Sequence, residues 1–157
     1  MWLSGTSQNA LRAVLHLADQ PAGRPVPVDE IADSLDCPRN YLSKTLHALT
    51  RAGVLRSTRG PGGGFRLVDP PARLTLARVV APFEPVGERR CLVGRAECGG
   101  TRPCPAHNHW SRIATVVETY FSSTTVADLL RDGGPPGRPA ARSPARPRRS
   151  RVSQRPK

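Results

Sequence analysis

The stretch Val54-Leu-Arg-Ser-Thr-Arg59-Gly60-Pro-Gly-Gly-Gly64-Phe65-Arg-Leu-Val68 decides the fold. Its two ends are β-rich or alternating, and Gly60–Gly64 between them carries almost no side chain. Two short strands joined by a flexible linker form a hairpin, here with Arg59 and Arg66 flanking the tip. Gly60, Pro61 and Gly62 make that tip slim enough for a narrow minor groove, where the negative potential that attracts arginine is strongest. A phosphate-cradling nucleotide loop is the other reading of a glycine run. That loop would need a Lys-Ser/Thr pair and a helix opening behind it, and neither is present.

Upstream, three helices are expected. Residues 4–19 have Ser4 as N-cap, and Leu11, Val14, Leu15 and Ala18 recur at i, i+3, i+4 and i+7 as a buried face. Pro21, Gly23, Pro25 and Pro27 end it. A second helix runs from about Val28 to Leu35, with Asp29 and Glu30 in the first turn, where the helix dipole favours acids, and Ile31 and Leu35 inward. Asp36-Cys37 is a tight turn, with Cys37 as a small core residue. The third helix runs from about Pro38 to Ala52, with Leu42, Leu46 and Leu49 inward and Gly53 as the stop. Its outward side offers Arg39, Asn40, Ser43, Lys44 and His47. Two amphipathic helices joined by a short turn make a helix-turn-helix, and the following hairpin makes it winged. Residues 36–66 contain six Arg or Lys and one acid, the balance that major-groove reading requires.

Downstream, Cys91, Cys98 and Cys104 fall in one glycine- and proline-broken loop with His107 three residues further on. Thiolate and imidazole are soft to borderline ligands, suited to an iron–sulfur cluster, zinc or copper. Arg89, Arg90, Arg95 and Arg102 favour ionised thiols. Free thiols, or one disulfide plus a spare, are the plainer readings. Residues 75–83 form a short helix with Leu76, Val79, Val80 and Phe83 inward. Trp110, Ile113, Val117 and Phe121 recur at helical spacing over 106–121, a candidate homodimer seam, and a last turn capped by Thr124-Thr125 runs to Leu130.

The 157-residue chain has a formal net charge of +12, of which residues 135–157 supply eight with no acid. That tail has six prolines and little to bury, so it is expected to be disordered and to attract polyanions. No signal peptide or membrane span is evident, and cysteines gathered in one loop fit a reducing cytoplasm. No paired carboxylates, nucleophile motif or cofactor fingerprint point to an enzyme or to a small-molecule substrate.

Helix-turn-helix, the Arg59–Phe65 wing and the three-cysteine loop, in that order, resemble the Rrf-two family of IscR- and NsrR-type winged-helix regulators over roughly residues 1–131. The resemblance implies a mainly α fold with a small β-hairpin wing. It divides the chain into a winged helix-turn-helix (1–83), a cysteine-rich cluster loop (84–107), a dimerisation helix with a short terminal helix (106–131) and a disordered basic tail (132–157). It implies a homodimer binding a double-stranded DNA operator, with Asn40, Tyr41 and Ser43 facing bases and Arg59 entering the minor groove. It further implies an iron–sulfur cluster, [2Fe–2S] ahead of [4Fe–4S], on Cys91, Cys98, Cys104 and His107. Such a protein is a repressor whose operator affinity follows redox state, iron–sulfur supply or nitric oxide. Gln8 stands where some relatives place a partner-derived acidic ligand. A constitutive DNA-binding protein with a structural zinc is the alternative.

Overall fold

The computed structural model describes residues 3–84, 91–95, 99 and 102–133. Cys98, Arg89, Arg90 and the basic tail from residue 134 lie outside the described residues. The elements run α1 (Gly5–Ala18), α2 (Val28–Leu35), α3 (Arg39–Arg51), β1 (Leu55–Thr58), β2 (Gly64–Leu67), a 3-10 turn (Pro71–Arg73), α4 (Leu76–Val80), α5 (His107–Ser123) and α6 (Val126–Gly133).

The helix-turn-helix forms as its residue pattern dictates. Ser4 caps α1 by accepting the Ser7 N–H at 3.2 Å. Asp36 takes a left-handed conformation (φ 50°) and turns the chain between α2 and α3, while Gly53 (φ 71°) stops α3. Ile31, Leu35, Leu42, Leu46 and Leu49 are all buried in one core with Val14, Val54, Leu55, Leu74 and Val79. Cys37 packs against that core, half-buried, and its sulfur accepts a long hydrogen bond from Asn9 Nδ2 at 3.7 Å.

One expectation shifts. The fully buried stripe of α1 is Ala10, Ala13, Val14 and Leu17 with Ser7, whereas Leu11, Leu15 and Ala18 are only partly buried against the core. The cause is that α1 is the hub of the fold, packed against α2, α3, α4, α6 and β2. Neighbours on several sides bury a wider arc than a single stripe, and its centre falls on the small alanines that let them approach.

The wing is a two-stranded antiparallel sheet pairing Leu55 with Leu67, Arg56 with Arg66, Ser57 with Phe65 and Thr58 with Gly64. A third short segment joins it: Val26 and Phe65 exchange backbone hydrogen bonds at 2.9 and 2.8 Å. A Cβ on Gly64 would overlap the Val26 carbonyl, so only glycine lets the segment before α2 lie this close to the strand. A second bridge joins the later elements: Leu76 N–H bonds to Thr124 O at 3.0 Å and Val126 N–H to Leu74 O at 2.9 Å. That bridge fastens α6 to the start of α4. Val126 is fully buried there.

Candidate cysteine centre and nucleic-acid interface

Cys91 and Cys104 meet at the foot of α5. Both are buried, and their Sγ atoms are 3.6 Å apart, within reach of an S–H···S contact. Two local turns bring them there: Gly94 N–H bonds to Cys91 O at 3.0 Å, and His107 N–H bonds to Cys104 O at 2.9 Å as α5 begins. Arg95 crosses the loop and donates to Arg102 O at 3.0 Å. The backbone amide of Arg95 holds the Cys91 thiol below its ordinary pKa. Desolvation opposes this, while the Val93 amide, the Cys104 thiol and the Arg95 guanidinium add to it.

The sulfur separation is informative. Two thiolates on one tetrahedral metal with bonds of about 2.3 Å lie roughly 3.8 Å apart. A disulfide needs about 2.05 Å. At 3.6 Å the pair is a non-bonded thiol contact, far longer than a disulfide and close to the span of two ligands on one metal, and both Cys91 and Cys104 are free thiols. His107 stands in the first turn of α5, with its ring carbon Cε1 3.6 Å from where a Cβ on Gly99 would lie, so the residue after Cys98 borders the imidazole. Among the described residues no set of three ligands is assembled, Cys98 lying outside them. Gln8 donates through Nε2 to Leu3 O at 3.2 Å, which stays within its own helix start.

The outward face of α3 and the wing carry the expected basic and polar residues. Arg39, Asn40, Tyr41 and Lys44 are exposed and Ser43 is half-buried. Arg39 is paired with Asp29 of α2, but both side chains are mostly exposed, so the pair is weak and open to competition from phosphate. Tyr41 is 40 % exposed and its hydroxyl lies 2.6 Å from Thr6 Oγ1. His47 lies edge-on to Phe65, with ring centroids 5.5 Å apart, and so braces α3 against the wing. Arg59, Gly60, Pro61 and Gly62 are exposed at the wing tip. Arg56 and Arg66 sit opposite each other on the outer face of the hairpin, and no carboxylate among the described residues pairs with either, or with Arg59. Like charges directly opposite destabilise a hairpin, and a polyanion relieves them. Arg56 joins the expected basic residues only through the strand register that sets it opposite Arg66.

Helix α5 splits the expected seam. Ala114 is buried, and Trp110, Val117 and Phe121 are half-buried, with Phe121 reaching the core. Ile113 is 50 % exposed, and with Val116 (69 %) and Tyr120 (49 %) forms a second apolar stripe that faces outward. All four expected residues lie on one apolar arc, whose Phe121 side turns toward the core and whose Ile113 side is open.

A three-helix head with an arginine-flanked wing defines a winged-helix DNA-binding transcription regulator, and the cysteine pair at the root of the long helix narrows the class. Residues 3–132 match the family model for Rrf2, described as an iron-dependent transcriptional regulator, and the chain belongs to the Rrf2 family. It is 33 % identical over 133 residues to an HTH-type regulator sequence of Aquifex aeolicus, covering 83 % of this chain and 92 % of that one. It is 30 % identical to the HTH-type transcriptional regulator IscR of Vibrio atlanticus, covering 84 % and 76 %. Among solved structures, CymR, the global cysteine regulator of B. subtilis, superposes with a TM-score of 0.71 at 24 % identity over 83 % of this chain and 97 % of that one. T. potens IscR superposes with a TM-score of 0.68 at 22 % identity over 84 % and 88 %. These two likenesses bear on the fold. The relatives are transcriptional regulators rather than enzymes. No helix among the described residues is long and apolar enough to cross a membrane.

Proposed function

We propose that this protein is a homodimeric repressor whose grip on its operator is controlled by an iron–sulfur cluster, [2Fe–2S] ahead of [4Fe–4S], held by Cys91, Cys98, Cys104 and His107. The observation that carries the reading is the buried Cys91–Cys104 pair with sulfurs 3.6 Å apart at the root of α5. The donor set fits such a group: a Cys91 thiol held toward its ionised form, the Cys104 sulfur against it, and an imidazole three residues further on, in a loop crossed by the Arg95–Arg102 bond. When bound, the cluster would supply one-electron redox chemistry and sensitivity to oxidants or nitric oxide. Similarity to IscR of Vibrio atlanticus supports the same reading. Thiols kept as ligands call for a reducing compartment, in accord with the cytoplasm.

The chain's own residues do the rest. Cys104 and His107 stand at the entry to α5, so the grip of the loop on its metal sets how that helix begins. The outward stripe Ile113, Val116 and Tyr120 is the surface offered to a second copy. A change at the root of α5 then alters the spacing of two DNA-reading heads, and half-sites about one helical turn apart are sensitive to that spacing. Within each head, Arg39, Asn40, Tyr41, Ser43 and Lys44 read or follow the major groove, and Arg59 with Gly60–Gly62 enters the minor groove. Arg66 and Arg56 take phosphates.

The same sulfur spacing suits a tetrahedral zinc, which would make the loop a structural clip and DNA binding constitutive. Anaerobic isolation separates the two readings. Visible charge-transfer absorption with acid-labile sulfide is the expected result, and a colourless, zinc-loaded protein overturns it.

A further inference from the structure

The recognition helix and the approach to the cysteine loop converge on the first turn of α1. Thr6 Oγ1 and Tyr41 Oη are 2.6 Å apart. The next residue, Ser7, is fully buried, and its Oγ donates to Glu84 Oε1 at 2.7 Å. The same carboxylate oxygen accepts the Ser4 backbone N–H at 2.8 Å. Glu84 follows α4, its N–H bonded to Val80 O at 3.0 Å, and it precedes Cys91 by seven residues.

We propose that the first turn of α1 is a strut between Glu84 and Tyr41, which makes Thr6 and Glu84 positioning residues for operator recognition. The inference rests on the reading of Tyr41 as a residue that faces DNA. A tyrosine on an exposed helix face has several rotamers open to it, and the bond to Thr6 selects one before DNA arrives. Glu84 fixes the strut from the other side. The bonds it accepts from Ser4 and Ser7 are charge-assisted, and its carboxylate sits at the N-terminus of a 14-residue helix, where the dipole favours an anion. A displacement of Glu84 has to carry Ser4 and Ser7 with it or break both bonds. Thr6 lies between those two residues, so its hydroxyl moves with them, and Tyr41 loses or follows its partner. The strut thus joins the chain leading to the cysteines to a base-facing side chain within one subunit, without passing through the dimer contact.

The test is a double-mutant cycle on full-length protein, using a duplex selected from a random pool by the wild-type protein, with bulk genomic DNA as the non-specific reference. Thr6→Val and Tyr41→Phe should each lower the specific-to-non-specific affinity ratio by roughly fivefold, as loss of one hydrogen bond implies. The double variant should be no worse than Tyr41→Phe alone. Glu84→Ala should lower the ratio and also be non-additive with Tyr41→Phe. Thr6→Ser and Glu84→Gln, which keep the hydroxyl and the acceptor oxygen, should restore most of it, which a general folding defect would not. Additive effects, no effect, or a ratio that rises in Thr6→Val because Tyr41 has been freed would each overturn the strut. The measurements are made on protein as isolated anaerobically and again after cofactor removal. Equal wild-type affinities in the two forms would sink the cofactor reading, while the cycle in either form still decides the strut.

Discussion

Cys91 and Cys104, thirteen positions apart, are both buried and face each other with sulfurs 3.6 Å apart near the start of α5. Cys91→Ser or Cys104→Ser should therefore abolish cofactor retention, measured as iron and acid-labile sulfide per chain in anaerobically isolated protein. The head does not depend on this loop for its core, so the winged helix should stay folded, with the helical circular dichroism signal preserved. Retained iron and sulfide in both variants would remove these sulfurs from the ligand set.

Gly64 lies against the Val26 carbonyl where the wing meets the segment before α2. Gly64→Ala should force the Val26–Phe65 bridge apart at a cost of about 1–3 kcal/mol, the range for overpacking. Chemical denaturation should show the loss. DNA affinity should fall with it, because Phe65 also receives His47 from the recognition helix. A fully stable variant would mean that the bridge gives way without cost.

The outward stripe of α5 predicts the assembly state. Val116→Asp or Ile113→Asp places a carboxylate in the middle of the proposed seam, and burying an unpaired charge is expensive. Sedimentation should show dimers dissociating at concentrations at least about tenfold higher than for wild type, a shift worth roughly 1.4 kcal/mol. Unchanged dimers would move the seam elsewhere.

Asp128 anchors α6. Its Oδ2 accepts from Thr125 Oγ1 at 2.6 Å and from Thr125 N–H at 2.9 Å, and its own N–H returns a bond to Thr125 Oγ1 at 3.2 Å. These donors hold its carboxyl below the ordinary value; desolvation acts the other way, and the Arg131 charge adds to the lowering. The folded state thus favours the ionised form. The resulting stability is present above the ordinary carboxylate pKa of about 4 and is lost as pH falls through the lowered one. Asp128→Ala should lower the melting temperature at neutral pH, and the gap to wild type should close on acidification. A gap that persists in acid would assign the loss to packing instead.

The head was legible because its signals are local. The Ile31–Leu35 and Leu42–Leu46–Leu49 spacings, the turn at Asp36 and the stop at Gly53 each act within a few residues, and α2 forms over the expected Val28–Leu35. What stayed hidden depends on contacts distant in the chain. Val26 joins the wing through a single residue set between prolines, too short for any period to show. The inward stripe of α1 is displaced because five elements converge on it. In the cysteine loop the residue types and order were plain, whereas the Cys91–Cys104 contact comes from turns at Gly94 and His107 that spacing does not specify. Periodicity could not say which edge of the α5 apolar arc is covered, because Ile113, Val116 and Tyr120 continue the same arc as Trp110, Val117 and Phe121.

The most direct test is operator affinity of one protein preparation, measured anaerobically at fixed salt with the cluster bound and again after its removal. The account predicts at least about a tenfold difference, the scale of an ordinary coupling free energy between two sites, and predicts that Cys104→Ser binds alike before and after the treatment. Equal affinity of the wild-type protein in the two states would contradict control by the cysteine centre and leave a constitutive winged helix.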